Sequence, residues 1–264
     1  MLSVLALLLS LSGGPSPSTA EATNVDVELI LAVDMSGSMD LDEARIQRAG
    51  YVEALRHRDF LDAVESGQLG KIAIGYFEWA GTVNESSVVA WKVIDNAADA
   101  DAFAKLIEAR PVGTRRGTSI SNAITYGTAL IDSNAFSGVR RVIDISGDGP
   151  NNIGPPVLPA RAIAITRGIT INGLAILIRP SVSTGPLDQY YAECVIGGPG
   201  SFVLPVHEPE DFSIAIRQKL VLEVSGLPPP PTIRYVDAFP APDCLIGEKL
   251  RPRLLDRVYP ELDR

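Results

Sequence analysis

Continuous apolar runs alternate along this chain with segments whose apolar residues recur at helical spacing. Residues 27–33 are apolar apart from Glu28, which suits a strand buried on both faces. Segment 40–58 places Ala44, Tyr51, Val52 and Leu55 on one helical face. It opens with Asp40-Leu41-Asp42-Glu43, a capping box in which the Asp40 carboxylate and the Glu43 side chain satisfy each other's amides. Residues 71–79 form the next strand, 81–87 a polar turn, and 88–94 an antiparallel edge strand. Helices are predicted over 97–109, with Phe103, Leu106 and Ile107 on one face, and over 119–132. Residues 139–146 are rich in β-branched side chains, as a buried parallel strand should be. A helix at 156–167, a strand at 169–178, a short edge strand at 202–206 and a closing helix at 211–224 complete the pattern. This order predicts an α/β fold: a doubly wound, mostly parallel central sheet flanked by helices, with a short C-terminal tail. There is no internal repeat.

The two ends read differently. Residues 2–11 form an apolar stretch too short to span a bilayer, followed by the small-residue sites Ser18-Thr19-Ala20 and Ala20-Glu21-Ala22. Residues 1–22 are therefore expected to be a signal peptide, although no Lys or Arg precedes the apolar stretch, and the mature protein is expected to be periplasmic or secreted. No cysteine follows either cleavage site, so a lipid anchor is not indicated, and no later segment reads as a membrane span. Residues 23–226 are expected to form one domain, and 227–264 a Pro-rich linker, with prolines at 228–231, and a tail. In an exported protein Cys194 and Cys244 can pair and staple that tail, by the chain-entropy model a contribution of roughly 4 kcal/mol. The alternative is two unpaired thiols, one of them buried.

Composition narrows the partner. With 46% hydrophobic and 21% charged residues the bulk of the chain is not disordered. A net charge of -9 lacks the basic surface that phosphate backbones require, so nucleic acid is an unsuitable ligand.

The candidate chemistry lies where strands end. The first strand runs into Asp34-Met35-Ser36-Gly37-Ser38; Thr118 opens the helix before the 139–146 strand, and Asp148 follows that strand. In a doubly wound sheet these positions can converge at the carboxyl edge, where ligands bind at the strand-order reversal. Carboxylates and hydroxyls are hard donors, suited to Mg²⁺, Mn²⁺ or Ca²⁺. If Ser36, Ser38 and Thr118 bind directly while Asp34 and Asp148 act partly through water, the cation keeps net positive charge and attracts an external carboxylate. Each residue also has a structural reading: Ser38 or Asp40 can cap the first helix, Thr118 the next, and Asp148-Gly149 can be a turn.

Taken together, Asp34-x-Ser36-x-Ser38, Thr118 and Asp148 resemble the metal-ion-dependent adhesion site of von Willebrand factor A domains, over residues 25–224. Within that superfamily, the stretches 33–38, 116–119 and 144–152, and the Tyr190-Tyr191 and 194–200 segments, look like a bacterial exported group of unknown function, DUF1194. The resemblance implies Mg²⁺ held by Asp34, Ser36, Ser38, Thr118 and Asp148, and ligation of an Asp or Glu from a protein partner. Many superfamily members have Thr-Asp-Gly where this chain has Gly147-Asp148-Gly149.

The expected function is therefore adhesion through a divalent cation and not catalysis. The alternatives are a Mg²⁺-dependent phosphoester hydrolase, for which no nucleophile or acid-base motif is evident, and a structural protein whose metal stiffens loops. Glu78 is expected to be a solvated strand-end residue, Trp79 and Trp91 core, His57 and His207 exposed, and Asn151 and Asn152 to line the loop after Asp148.

Overall fold

The computed structural model describes residues 22–37, 41–179, 183–228 and 241–251. The signal-peptide stretch to residue 21, Ser38, the Asp40 capping box, prolines 229–231 and residues 252–264 lie outside the described residues. In chain order the elements are β1 (Thr23–Asp34), α1 (Leu41–Arg56), α2 (Arg58–Glu65), β2 (Ile72–Trp79), β3 (Val83–Ile94), α3 (Ala97–Glu108), α4 (Ile120–Asp132), β4 (Phe136–Gly147), α5 (Val157–Thr166), β5 (Ile169–Ile176), α6 (Leu187–Tyr190), β6 (Val203–Val206) and α7 (Phe212–Ser225). A π-helical turn, Tyr191–Val195, continues α6.

Six strands form one sheet in the order β3-β2-β1-β4-β5-β6, with only the β3 edge antiparallel. The chain winds outward from β1 to β3, then restarts on the other side of β1 with β4. The strand order therefore reverses between β1 and β4, and their carboxyl ends open the crevice where such folds bind ligands.

β1 is buried from Val25 onward because both its faces are covered. Val27, Leu29, Leu31 and Val33 pack with Tyr51 and Leu55 of α1, Phe60 of α2, Phe103 of α3 and Ile216 of α7. Ile30 and Ala32 pack on the opposite face with Ile124 of α4, Ala160 of α5 and Tyr191. Trp79 is buried in that second layer and Trp91 packs against it, so both tryptophans serve the core.

The structure differs from the sequence expectation in four places. The helix expected over 40–58 ends at Arg56 and a further helix, α2, follows, because His57 turns the chain and its Nδ1 accepts the Asp59 amide at 3.1 Å, capping α2. β3 begins at Val83, five residues earlier than its apolar pattern suggests. There Asn84 pairs with Glu78, and Ser87 Oγ accepts the Glu78 amide at 2.8 Å, so a polar stretch is held as strand. Glu78 is fully buried where a solvated strand end was expected. Arg48 of α1 and the Tyr76 hydroxyl both donate to its Oε1, the former through Nε at 2.9 Å, and this pairing offsets the desolvation. The α6 and π-helical segment has no counterpart in the periodicity.

A second charged group is buried between α7 and the sheet. Lys219 Nζ lies 2.5 Å from Asp144 Oδ1 of β4 and 2.5 Å from Glu223 Oε1. Burial and the Asp144 charge push the Glu223 carboxyl up to about 7, against the opposing pull of Lys219. The folded protein thus holds a proton on Glu223 that the unfolded chain releases near its ordinary value of about 4.5. This contribution is present in full below pH 4.5 and is lost as pH rises through 7, on the order of 3 kcal/mol in total. Urea titrations should accordingly show wild type losing stability relative to Glu223→Gln between pH 5 and pH 8. Parallel curves for the two proteins would contradict this assignment.

Candidate metal centre

Asp34 is the last residue of β1, and β4 lies beside it: Val33 is in register with Ser146, which sets Asp34 against Gly147, one residue before Asp148. The Asp34 side chain is fully buried. Its Oδ1 accepts the Ser36 amide at 2.7 Å, while its Oδ2 is buried with no hydrogen-bond partner. Burial first, and the Asp148 charge second, raise its carboxyl well above the usual range; the Ser36 hydroxyl and the amides of Ser36 and Asp148 pull the other way. Two carboxylates thus face each other at the switch point.

Ser36 and Thr118 are joined to this point by backbone. Ser36 bridges to Arg115, whose amide donates to the Met35 carbonyl at 2.9 Å, so the 115–118 segment runs alongside the loop after β1. The Ser119 amide donates to the Ala80 carbonyl at 2.9 Å, tying the same segment to the end of β2. Ser119, not Thr118, caps α4, its Oγ accepting the Asn122 amide at 3.4 Å. Thr118 is buried and clamped to the loop after β4: its amide donates to Asn152 Oδ1 at 2.9 Å, and the Asn152 amide donates back to its carbonyl at 2.8 Å. The same loop meets α4 through Asn151 Oδ1, which accepts the Ser121 amide at 3.1 Å. The structure therefore brings Asp34, Ser36, Thr118 and Asp148 to one end of the sheet. Ser38 lies outside the described residues.

Sequence reasoning gave no role to Tyr191, which is fully buried, its hydroxyl without a hydrogen-bond partner. A Cβ on Gly147 would sit 2.5 Å from that hydroxyl and 2.9 Å from Asp34 Oδ2. The glycine that departs from the superfamily pattern is thus required by a tyrosine that brings a hydroxyl to the flank of Asp34. Burial and the charges of Asp34 and Asp148 raise the Tyr191 phenol well above its ordinary value, so it remains a donor. The signal available in the sequence was the pairing of Gly147 with the Tyr190-Tyr191 dipeptide; nothing local indicated the contact.

The residues present fit a hard divalent cation. A fully buried carboxylate oxygen stands unpartnered, a second carboxylate faces it, and the remaining donors are hydroxyls. Among the described residues no three of His, Cys, Asp and Glu gather as a metal cluster, so the donor set differs from that of a closed structural zinc site.

Cys194 and Cys244 form a disulfide with Cα atoms 5.5 Å apart, as one sequence reading expected. No helix among the described residues is long and apolar enough to cross a membrane.

A family model described as "Protein of unknown function (DUF1194)" matches residues 24–228. No curated protein matches the chain. Among solved structures, proximal thread matrix protein 1 from the mussel byssus, with a zinc-occupied MIDAS motif, is similar at TM-score 0.56 and 15% identity, covering 78% of this chain and 50% of that one. The chain therefore spans about half the length of that structure. A von Willebrand factor type A protein from Catenulispora acidiphila is similar at TM-score 0.55 and 15% identity, over 76% of this chain and 43% of that one. The conserved hypothetical protein BatB from Bacteroides thetaiotaomicron is similar at TM-score 0.51 and 19% identity, over 76% of this chain and all of that one. These likenesses establish the von Willebrand factor A fold.

Proposed function

Because this chain belongs to the DUF1194 family and has the von Willebrand factor A fold, we propose that it is an exported, non-catalytic binding protein that engages an acidic side chain of a protein partner through a divalent cation. Asp34, Ser36, Ser38, Thr118 and Asp148 are the residues that would hold the cation, Mg²⁺ first, with Mn²⁺ or Ca²⁺ as alternatives. Bound there, it would supply a Lewis-acidic position for a partner's Asp or Glu.

The observation that carries this reading is the Asp34–Asp148 pair: a carboxylate with an unpartnered oxygen, made harder to ionise first by its burial and then by a second carboxylate at the reversal of strand order. Such an arrangement is unfavourable alone and becomes favourable around a positive charge. The remaining residues set geometry. The Ser36 amide fixes Asp34, Asn152 fixes Thr118 at both its amide and its carbonyl, and Tyr191 flanks Asp34. Arg115 and Arg116, both exposed on the segment that pairs with Ser36, add local positive charge to a protein of net charge -9 and favour an acidic partner. The signal peptide expected at residues 1–22 and the Cys194–Cys244 bridge support export to the periplasm or beyond.

A pull-down from envelope extract is expected to retain a partner in Mg²⁺, to lose it in EDTA, and to lose it with Asp34→Ala. Retention of the same proteins in all three conditions would exclude adhesion through the cation.

A further inference from the structure

The family match ends at residue 228, yet segment 241–251 returns to the candidate site and touches the loop that holds Thr118. Glu248 Oε1 accepts Asn151 Nδ2 at 2.7 Å. Asn151 is fully buried, and its side-chain oxygen, side-chain nitrogen and backbone amide are each engaged within the site's framework. Its Oδ1 takes the Ser121 amide, its Nδ2 also reaches the Pro155 carbonyl at 3.1 Å, and its backbone amide donates to the Tyr190 hydroxyl at 3.2 Å. The next residue, Asn152, is the one that clamps Thr118.

Further contacts make this docking specific. A Cβ on Gly247 would lie 2.1 Å from the Asn151 carbonyl oxygen, so the tail backbone approaches the loop as closely as a glycine permits. Behind it, Cys244 and Ile246 pack on the α4 and α5 side of the core, and Cys244 is bonded to Cys194. Cys194 sits in the π-helical turn that begins with Tyr191, the residue flanking Asp34. The Tyr190 hydroxyl, which accepts the Asn151 amide, reaches the Cys244 carbonyl at 3.5 Å. The tail, the turn and the Asn151 loop thus form one connected unit around two edges of the site.

We propose that segment 241–251 is a covalently anchored brace of the metal centre, and that Glu248 is a positioning residue that acts through Asn151 and Asn152 on Thr118. The proposal rests on the metal-binding reading above for its consequence, but its structural half does not need the metal. With the brace in place the Thr118 loop is held ready; without it, ordering that loop weakens ion uptake. Partners of metal ligands, when removed, typically cost about 10- to 100-fold in metal affinity.

The test uses the full chain and Mn²⁺ as the probe, with calorimetry for affinity and amide hydrogen exchange in metal-free protein for the loop. Glu248→Ala is expected to weaken Mn²⁺ binding about 10-fold or more and to speed exchange of the Thr118 and Asn152 amides by at least about 10-fold. Glu248→Gln keeps an acceptor for Asn151 and should stay within about 2-fold of wild type on both measures. Cys194→Ala/Cys244→Ala should resemble Glu248→Ala at the Thr118 and Asn152 amides while β1 remains protected. If Glu248→Ala binds Mn²⁺ as wild type does and exchange is unchanged, there is no brace. A loss in Glu248→Gln equal to that in Glu248→Ala would assign the effect to charge and overturn positioning. Wild type that takes up no Mn²⁺, with exchange responding as described, would instead defeat the metal reading and leave the brace standing.

Discussion

Replacing Lys219 by Met should destabilise the protein by about 3 to 5 kcal/mol at pH 8, the largest stability effect expected of any single substitution considered. Lys219 is fully buried and is the cation between Asp144 and Glu223, themselves fully buried. Glu223 also accepts Asn172 Nδ2 at 3.1 Å, and Asp144 accepts the Tyr51 hydroxyl at 3.3 Å, so neither carboxylate can turn to water when the ammonium is lost. Burial already pushes both carboxyls above their ordinary values even with Lys219 present. Without it both must be protonated for the fold to persist, so the defect is greatest at high pH and shrinks near pH 5. Adding Asp144→Asn and Glu223→Gln should recover most of the loss, since it removes the uncompensated charges themselves. Urea unfolding at the two pH values measures this. A defect independent of pH, or one not repaired by the triple substitution, would mean that Lys219 contributes through packing of its stem.

This network also bears on the site. Asp144 and Ser146 are successive inward positions of β4, and Gln47 of α1 donates to Ser146 Oγ at 2.8 Å, two residues before Asp148. Polar pairing along this face fixes β4 against α1 and α7 up to the strand end from which Asp148 leaves the sheet.

The sheet was legible because buried parallel strands have a local signature. The run ending at Val33, the β-branched strand of β4 and the loop residues after each needed only periodicity and position. The convergence of Asp34 and Asp148 was open to expectation only through the carboxyl-edge rule for doubly wound sheets, and the strand order that sets β1 beside β4 is seen in the structure. What escaped was decided between elements distant in sequence. Glu78 reads as a strand-end acid until Arg48, thirty residues earlier, is seen to reach it. The α1–α2 break depends on one histidine accepting one amide, which apolar spacing cannot register. Tyr191 and Glu248 act on the site across long stretches of chain, and Asn152 matters because of its bonds to Thr118, thirty-four residues away. The disulfide was readable from compartment and count, but where it delivers the tail was not.

Asp34→Asn should separate function from stability. In metal-free protein it removes a buried charge that faces Asp148 and replaces an unpartnered oxygen with an amide able to meet the Tyr191 hydroxyl. A gain of about 1 to 3 kcal/mol in metal-free stability is therefore expected. A binding site that is costly when empty is the usual origin of such a trade-off. Wild type, by contrast, should be stabilised by about 2.7 kcal/mol when Mg²⁺ reaches one hundred times its dissociation constant, and the variant should not respond.

The most direct measurement is a calorimetric titration of Mg²⁺, and in parallel Mn²⁺, into wild type and Asp34→Asn. Saturable uptake of one ion per wild-type chain, absent in the variant, is the predicted result. No uptake by wild type, or equal uptake by both proteins, would contradict a cation held between Asp34 and Asp148.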